Sequence, residues 1–426
     1  MSPEPMYPTA PSERIESIDV LRGIVVLGIL TINIIGFGMP MEVFGNPTFW
    51  GTYEGPDVFA FVAAHIGFQG AQRGIFSMLF GAGVVLFIQR IASDERQSNM
   101  GRLYYRRMFG LMLFGLFDMF ALLWFGDIIF LYGLVGLLLY LFRDSKPQGL
   151  LIGAGVLFIL LTLMFAFADD SELDSEAILQ NVQTRAEERL EQRLPERASK
   201  KIDTTDSYAP LPEEVEAKQQ GYVSAFPYVV DSIFGLQVKM TIVYSFWEVL
   251  FTMLLGMALF RLGVFDASLS IQTYVIMLVL GFSVGIVVNT YEVMTTLSAN
   301  YSESSHFMWS YNLGRLAMAF GYIGTVMLIC KLGLLPRVRS CLAAVGKMAL
   351  TNYLMQSLMC LTFFILLGNF GKLRFHELYY VVFIIWILQL IYSPVWLARY
   401  RYGPAEYLWR RWTYGGKIQN RRLSRD

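Results

Sequence analysis

Ionisable and amide side chains inside long apolar runs are the residues of this sequence able to do chemistry. Such groups are costly in lipid and usually face a cavity or a partner. The run Ile18–Gly36 carries Asp19, Arg22 and Asn33. Asp19 and Arg22 share a helix face and can pair, either anchoring the helix edge or opening a ligand track. Asn33 lies eleven residues beyond Arg22, three helical turns along roughly the same face. Asp118 and Asp127 stand near the ends of consecutive runs; two carboxylates so placed can share a proton or hold a cation. Asp127 also reads as the cap of the run it begins, whereas Asp118 sits mid-run and needs a partner. Glu248 and Arg315 each interrupt an apolar run. Arg315 either pairs with Asp118, Asp127 or Glu248, or binds an anionic head group or phosphate. Arg73 starts a run, where snorkelling alone satisfies it. Asn352 and Gln356 are four apart, and hydrogen bonds between helices explain them. His65, in DVFAFVAAHIGFQGAQRG, reads equally as a satisfied interfacial histidine and as a reactive one.

The elements that position these groups are membrane helices. Of 426 residues, 55 % are hydrophobic and 16 % charged, against about a quarter charged in soluble domains. Mean hydropathy is +0.47. Lys+Arg and Asp+Glu balance at 34 each, which excludes a nucleic-acid binder, since that needs a basic excess. Three cysteines and three scattered histidines give neither a disulfide framework nor a metal cage, so no metal is expected. A bilayer core takes roughly 20 apolar residues per helix. About ten stretches qualify, near 20–39, 73–92, 104–124, 127–142, 149–168, 241–262, 271–293, 309–331, 343–367 and 378–398. The expected fold is all-α, a polytopic transmembrane helix bundle. No secretory signal peptide is read at the start.

The connecting segments alternate in charge. Arginines and lysines crowd 90–107, 143–146, 331–347 and the tail, while the opposite segments are acidic or sparse. The positive-inside rule then predicts both termini in the cytoplasm. The chain divides into a five-span half (1–168), an acidic extracytoplasmic helical segment (169–228), a second five-span half (229–400) and a cytoplasmic amphipathic tail (401–426). The acidic segment reads as charged helix broken at Pro195, a lid or cap joining the halves. In the tail, Pro404 and Glu406 suit a helix start, and Trp409 and Trp412 suit the bilayer interface. Gly281 and Gly285 predict a close-packed helix face.

Five motifs carry a family resemblance. They are the opening Arg14–Gly23, FSMLFGAG (Phe76–Gly83), GDIIFLYGLVG (Gly126–Gly136), GKMALTNYLMQS (Gly346–Ser357) and YGPAEYLWRRWTYG (Tyr402–Gly415). Over nearly its whole length the chain resembles the YeiB-like bacterial membrane proteins, which carry the domain of unknown function numbered 418. The resemblance implies a bacterial cytoplasmic membrane location and kinship with transmembrane acyltransferases. Type 3 acyltransferases are marked by Arg, ten residues, then a catalytic His. Here the pattern is Arg22, ten residues, then Asn33, and an amide cannot act as a general base. The glucosaminide N-acetyltransferase type is more similar, with Arg and Asn at this spacing and its reactive His between the first two spans, where His65 stands. YeiB-like relatives often place a His where this chain has Asp118.

Two functions are carried forward. The resemblance implies a membrane acyl or acetyl transferase, moving a group from a cytoplasmic thioester such as acetyl-CoA or another acyl-CoA to an extracytoplasmic glycan or lipid-linked acceptor. His65 or the Asp118/Asp127 pair would supply the base, with Asn33 or Arg22 stabilising charge. Arg73, Glu248, Arg315, Asn352 and Gln356 join Asp19 as substrate-binding candidates. The alternative is a small-molecule or lipid transporter with two inverted five-span halves, although no motif repeats between them. Membrane lipid is the expected partner in either case.

Overall fold

In lipid every backbone N–H and C=O must be satisfied within the chain, so apolar runs of this length fold as helices. The computed structural model describes residues 15–51, 53–92, 100–167, 213–299, 301, 308–415 and 418–421. The predicted helix broken at Pro195 lies outside them, as do His306 and most of the acidic segment. No strand forms among the described residues beyond one isolated bridge, Tyr400 to Arg421.

The helices are α1 (Glu16–Gly38), α2 (Pro56–Gly67), α3 (Ala71–Ala92), α4 (Met100–Ala121), α5 (Ile129–Leu139), α6 (Pro147–Phe167) and α7 (Glu213–Gln219). Then come α8 (Tyr222–Ser232), α9 (Phe246–Arg261), α10 (Ile271–Ser298), α11 (Tyr311–Lys331) and α12 (Pro336–Lys347). The last three are α13 (Ala349–Cys360), α14 (Leu378–Arg399) and α15 (Pro404–Tyr414). Between α8 and α9 the helix passes through two π segments, Ile233–Gln237 and Thr241–Ser245.

Eight helical stretches among the described residues are long and apolar enough to cross a membrane. The protein is an all-α, multi-pass membrane protein. Two of the ten predicted stretches do not reach that standard. Helix α4 carries Arg106, Arg107 and Asp118 within its apolar length, and α5 with its last turn spans only Ile129–Phe142. The predicted run 343–367 also differs. It breaks at Met348, which separates the polar α12 from α13.

Loop contacts sort the helix ends into two sets. At one end the Trp50 indole donates to the Gly371 carbonyl (2.7 Å), the Met41 N–H to Glu214 (2.9 Å) and the Gln219 amide to Phe370 (2.8 Å). At the other, arginine-rich end Ser17 donates to Phe265 (2.6 Å), Arg261 to the Ser145 and Arg143 carbonyls, and the Trp409 indole to Arg107 (2.8 Å).

Glycine seams set the helix spacing. A Cβ at Gly81 would overlap the Met253 carbonyl oxygen, and one at Gly256 the Met78 carbonyl oxygen, so α3 and α9 touch backbone to backbone. Gly281 and Gly285 meet Gly321 and Met318 in the α10–α11 seam, a close approach that small residues allow in membranes.

The tail is tied down more firmly than an interfacial helix requires. The Thr351 N–H and hydroxyl both donate to the Glu406 carboxylate (3.0 and 2.5 Å), and the Thr351 hydroxyl accepts from the Ala405 N–H (3.0 Å). Glu406 thereby satisfies the first turn of α13. Trp412 stays exposed, yet its indole donates to the Arg106 carbonyl (3.0 Å). Burial pushes the Glu406 carboxyl above its ordinary range, against the two Thr351 hydrogen bonds. Glu406→Ala should cost about 1–3 kcal/mol in detergent unfolding, because it strands a buried donor. Glu406→Gln should cost less. With its folded value raised, wild type loses stability relative to Glu406→Gln as pH rises from the ordinary carboxyl range through the folded value.

Candidate functional site: a cationic cavity between the two halves

The turn between α2 and α3 builds the site. Gly70 takes a left-handed conformation (φ +70), and a Cβ there would press on the Tyr311 hydroxyl and the Arg315 side chain. The chain therefore turns directly against α11, bringing Gln69, Gln72 and Arg73 to a cavity of about 90 Å³. Gly28, Asn33, Ile128 and Tyr311 complete much of the lining. Gly28 is required here too, since a Cβ would collide with the Gln72 side chain.

Beneath the cavity α3, α9 and α11 each contribute one charge. The Glu248 carboxylate accepts from Arg73 (2.7 Å) and from Arg315. Glu248 is 0 % and Arg315 2 % exposed, whereas Arg73 keeps 31 % of its side chain open. Two guanidiniums against one carboxylate leave a surplus positive charge. Arg73 is fixed from behind: the Ser77 hydroxyl (3.0 Å) and the Tyr132 hydroxyl (3.2 Å) both donate to its carbonyl. Arg315 shares its helix with Asn312, whose Oδ1 accepts from the Tyr244 hydroxyl (3.2 Å). Tyr244 and Glu248 flank the end of the second π segment, a device that re-aims side chains and often marks functional sites.

Several polar atoms around this site have no hydrogen-bond partner. They are both amide atoms of Gln72, Nε of Arg73, and Nε and Nη2 of Arg315, with Nδ2 of Asn312 nearby. Buried donors are normally satisfied. Of these residues Gln72 and Arg73 line the cavity, and their donors, with a net positive charge, suit an oxygen-rich or anionic guest.

The other candidate residues fall in separate places. Asp127 accepts from the Phe130 N–H (2.7 Å) and caps α5. Asp118 is fully buried, faces Asp127, Ser357 and Cys360, and neither of its oxygens has a close hydrogen-bond partner. Arg315 is not its counter-ion. Asn352 donates to Val345 (2.9 Å) and Ser393 (3.2 Å), and Gln356 to the Val26 carbonyl and Gln389 (both 3.0 Å). This closed network ties α1, α13 and α14 together and does not line the cavity. Arg22 meets Asp19 at 3.3 Å, near the arginine-rich end and about 16 Å along α1 from Asn33. His65 is buried, stacked on the Phe61 ring (3.8 Å), with Nδ1 at 2.8 Å from the Phe61 carbonyl. It lies one turn from Phe68 in the cavity wall. Among the described residues no group of three or more His, Cys, Asp or Glu is arranged to hold a metal.

Arg73 is the plainest correction to the sequence reading: an ion pair, not snorkelling alone, satisfies it. Gln69 and Gln72 escape sequence reasoning because QGAQR before an apolar run looks like an interfacial flank. A second missed group is Asp57, fully buried at the start of α2. Its carboxylate accepts from the His376 ring (2.6 Å) and N–H (3.0 Å) and from the Arg374 guanidinium (2.6 Å). It pins the loop before α14 to α2.

Comparison with known proteins now adds to the geometry. The model of a protein family of unknown function, DUF418, matches residues 259–416. The chain is 28 % identical to the uncharacterized protein YeiB of Escherichia coli (strain K12), over 94 % of this chain and 96 % of that one. It is thus similar to YeiB over nearly its whole length and to the DUF418 family model over its C-terminal part. It is also 26 % identical to the uncharacterized protein YxaH of Bacillus subtilis (strain 168), over 96 % of each chain. A 39.9 kDa protein in the amylase 3′ region of Bacillus acidopullulyticus is 26 % identical over 97 % of each. No solved structure matches the chain. The family match covers the α13 motif and the tail motif, whose Thr351 and Glu406 bind one another.

Proposed function

We propose that this protein is an acyl or acetyl transferase of the bacterial cytoplasmic membrane, with its acyl site in the Arg73–Glu248–Arg315 cavity. The donor is a cytoplasmic thioester, acetyl-CoA or another acyl-CoA, and the acceptor is an extracytoplasmic glycan or lipid-linked sugar. The arginine-rich end faces the cytoplasm, following the positive-inside rule. One observation carries the reading: the cavity-lining residues Gln72 and Arg73 carry unpartnered donors, and Arg73 is one of two guanidiniums sharing a single carboxylate. Donors fixed in advance where negative charge develops are the main requirement for stabilising a tetrahedral oxyanion. A volume of about 90 Å³ is smaller than the roughly 150 Å³ that admits benzene, so it suits a short acyl head. His65, one turn away, and Asp127, next to the lining residue Ile128, are the candidate bases.

The test is transfer of label from acetyl-CoA to a crude cell-envelope acceptor pool by purified protein. Gln72→Ala should lower the rate about 10²–10³-fold, the loss seen when one oxyanion donor is removed, with thermal unfolding nearly unchanged. No transfer by wild type, or full activity in Gln72→Ala, would overturn the assignment.

A second reading, proton-coupled transport, is favoured by Asp118. A fully buried carboxyl facing Asp127, with no cationic side chain bonded to it among the described residues, suits a proton carrier. Flux in proteoliposomes that needs no acyl donor and is abolished by Asp118→Asn would decide for it.

A further inference from the structure

Helix α10 brings another buried acid to the edge of the cavity wall. Toward its C-terminal end it buries Asn289, Glu292, Val293 and Thr296, which recur at helical spacing along one face. The Asn289 amide donates to the Ile66 carbonyl at the end of α2 (2.8 Å), two residues before Phe68 in the cavity lining. One turn further along α10, the Glu292 carboxylate accepts from the Ser310 hydroxyl. Ser310 directly precedes Tyr311, which lines the same cavity from α11. Gly314 lets the two helices close on each other, since a Cβ there would overlap Asn289 Oδ1. The pair is shut off from bulk water: Glu292 is 4 % and Ser310 2 % exposed.

A carboxyl group inside a span is expensive unless something offsets it. Glu248 is offset by two guanidiniums and Asp57 by Arg374. Glu292 has a hydroxyl instead, and no cationic side chain is bonded to it among the described residues. A hydroxyl that donates to a carboxylate keeps its own lone pairs for a further O–H donor, which is the chemistry of a proton relay. We propose that Glu292, acting through Ser310, is the proton acceptor for the hydroxyl group of the acyl acceptor. The proposal rests on the acyl-transfer reading and deepens it, because it makes the acceptor an alcohol such as a sugar hydroxyl. The acceptor O–H gives its proton to the Ser310 oxygen as the Ser310 proton passes to Glu292. The acceptor oxygen bonds to the acyl carbon, the carbon–sulfur bond breaks, and the electron pair leaves on the thiolate. The proton then returns from Glu292 through the same hydroxyl to the thiolate, which restores the carboxylate. A carboxylate held by an ion pair would be a poor acceptor in this step, since the cation favours its charged form.

The experiment uses the purified full chain, labelled acetyl-CoA and a crude cell-envelope acceptor pool, with rates taken across pH. Glu292→Gln keeps the shape and the bond to Ser310 but cannot take a proton. It should lower transfer about 10²–10⁴-fold, the usual contribution of a general base, with thermal unfolding close to wild type. The fall in rate on acidification that wild type shows as its base protonates should be absent from the residual activity. Formate, a carboxylate small enough to enter, should restore part of the rate to Glu292→Ala. Ser310→Ala should lose rate, whereas Ser310→Thr retains the hydroxyl and most of the activity. Asp266→Asn, at an exposed acid next to Phe265, should match wild type. No transfer by wild type overturns the acyl-transfer reading and this proposal with it. Transfer by wild type with full activity in Glu292→Gln, or with an unchanged acid limb in that variant, overturns this proposal alone. If Glu292→Gln does not fold, equal rates in Ser310→Ala and Ser310→Thr are the refuting result.

Discussion

Glu248→Ala is expected to be the most damaging single substitution in the membrane interior. It leaves Arg73 and Arg315 facing each other beneath the cavity with no anion between them. Removing one partner of a buried ion pair costs about 3–5 kcal/mol, because the remaining charge keeps its desolvation penalty without its attraction. Here two cations are stranded and repel, which places the loss at the upper end. Glu248→Gln preserves shape and hydrogen-bonding capacity but not charge, so it should recover only part of the loss. Replacing all three charges by apolar residues of similar size should restore much of the stability, as buried networks can be substituted whole. That variant should remain inactive. Denaturant unfolding in detergent separates these outcomes. A cost below about 1 kcal/mol for Glu248→Ala, the value typical of exposed pairs, would mean that water in the cavity already screens both arginines.

The second large effect is expected from a methyl group. Gly81→Ala or Gly256→Ala places a Cβ where a backbone carbonyl of the partner helix already stands. Neither helix can yield locally, since a backbone cannot change rotamer. Overpacking a core costs about 1–3 kcal/mol and more where the backbone must shift. Helix α3 carries Arg73 and α9 carries Glu248, so separating the helices also lengthens their 2.7 Å contact. Stability and transfer should therefore fall together. Gly83→Ala on the same helix is the control, since a Cβ there meets nothing within 4 Å. It should match wild type in both measurements. Equal behaviour of Gly81→Ala and Gly83→Ala would show that the seam is not under compression.

How much of the site was legible depends on which residue is considered. Glu248 and Arg315 stood out because a charge in an apolar run is conspicuous, and Glu248 was among the partners weighed for Arg315. Their pairing still could not be read, since Asp118 and Asp127 offered equally apolar surroundings and the same charge. Arg73 was visible but misjudged, because the end of a helix normally permits snorkelling and the Gly70 turn that aims it inward is a single glycine among 37. Gln72 gave no signal, as a glutamine flanking a span is commonplace. Glu406 was assigned to its own helix start, whereas its carboxylate serves Thr351, 55 residues away. Asn352 and Gln356 were read as interhelical hydrogen-bond formers, and their partners on α1 and α14 are of that kind.

By itself the sequence determined the solvent and the secondary structure. Apolar runs of bilayer length with few charges leave the backbone no choice but helix, and these signals are local. The alternating loop charges likewise order the helix ends without reference to packing. Tertiary structure alone decided which charges meet. Residues 73, 248 and 315 become neighbours because Gly81 and Gly256 bring α3 and α9 within backbone distance and the Gly70 turn sets the start of α3 against the Tyr311 and Arg315 side chains of α11. Ion pairing depends on a few ångströms between helices far apart in the chain, and no periodicity or composition records that distance.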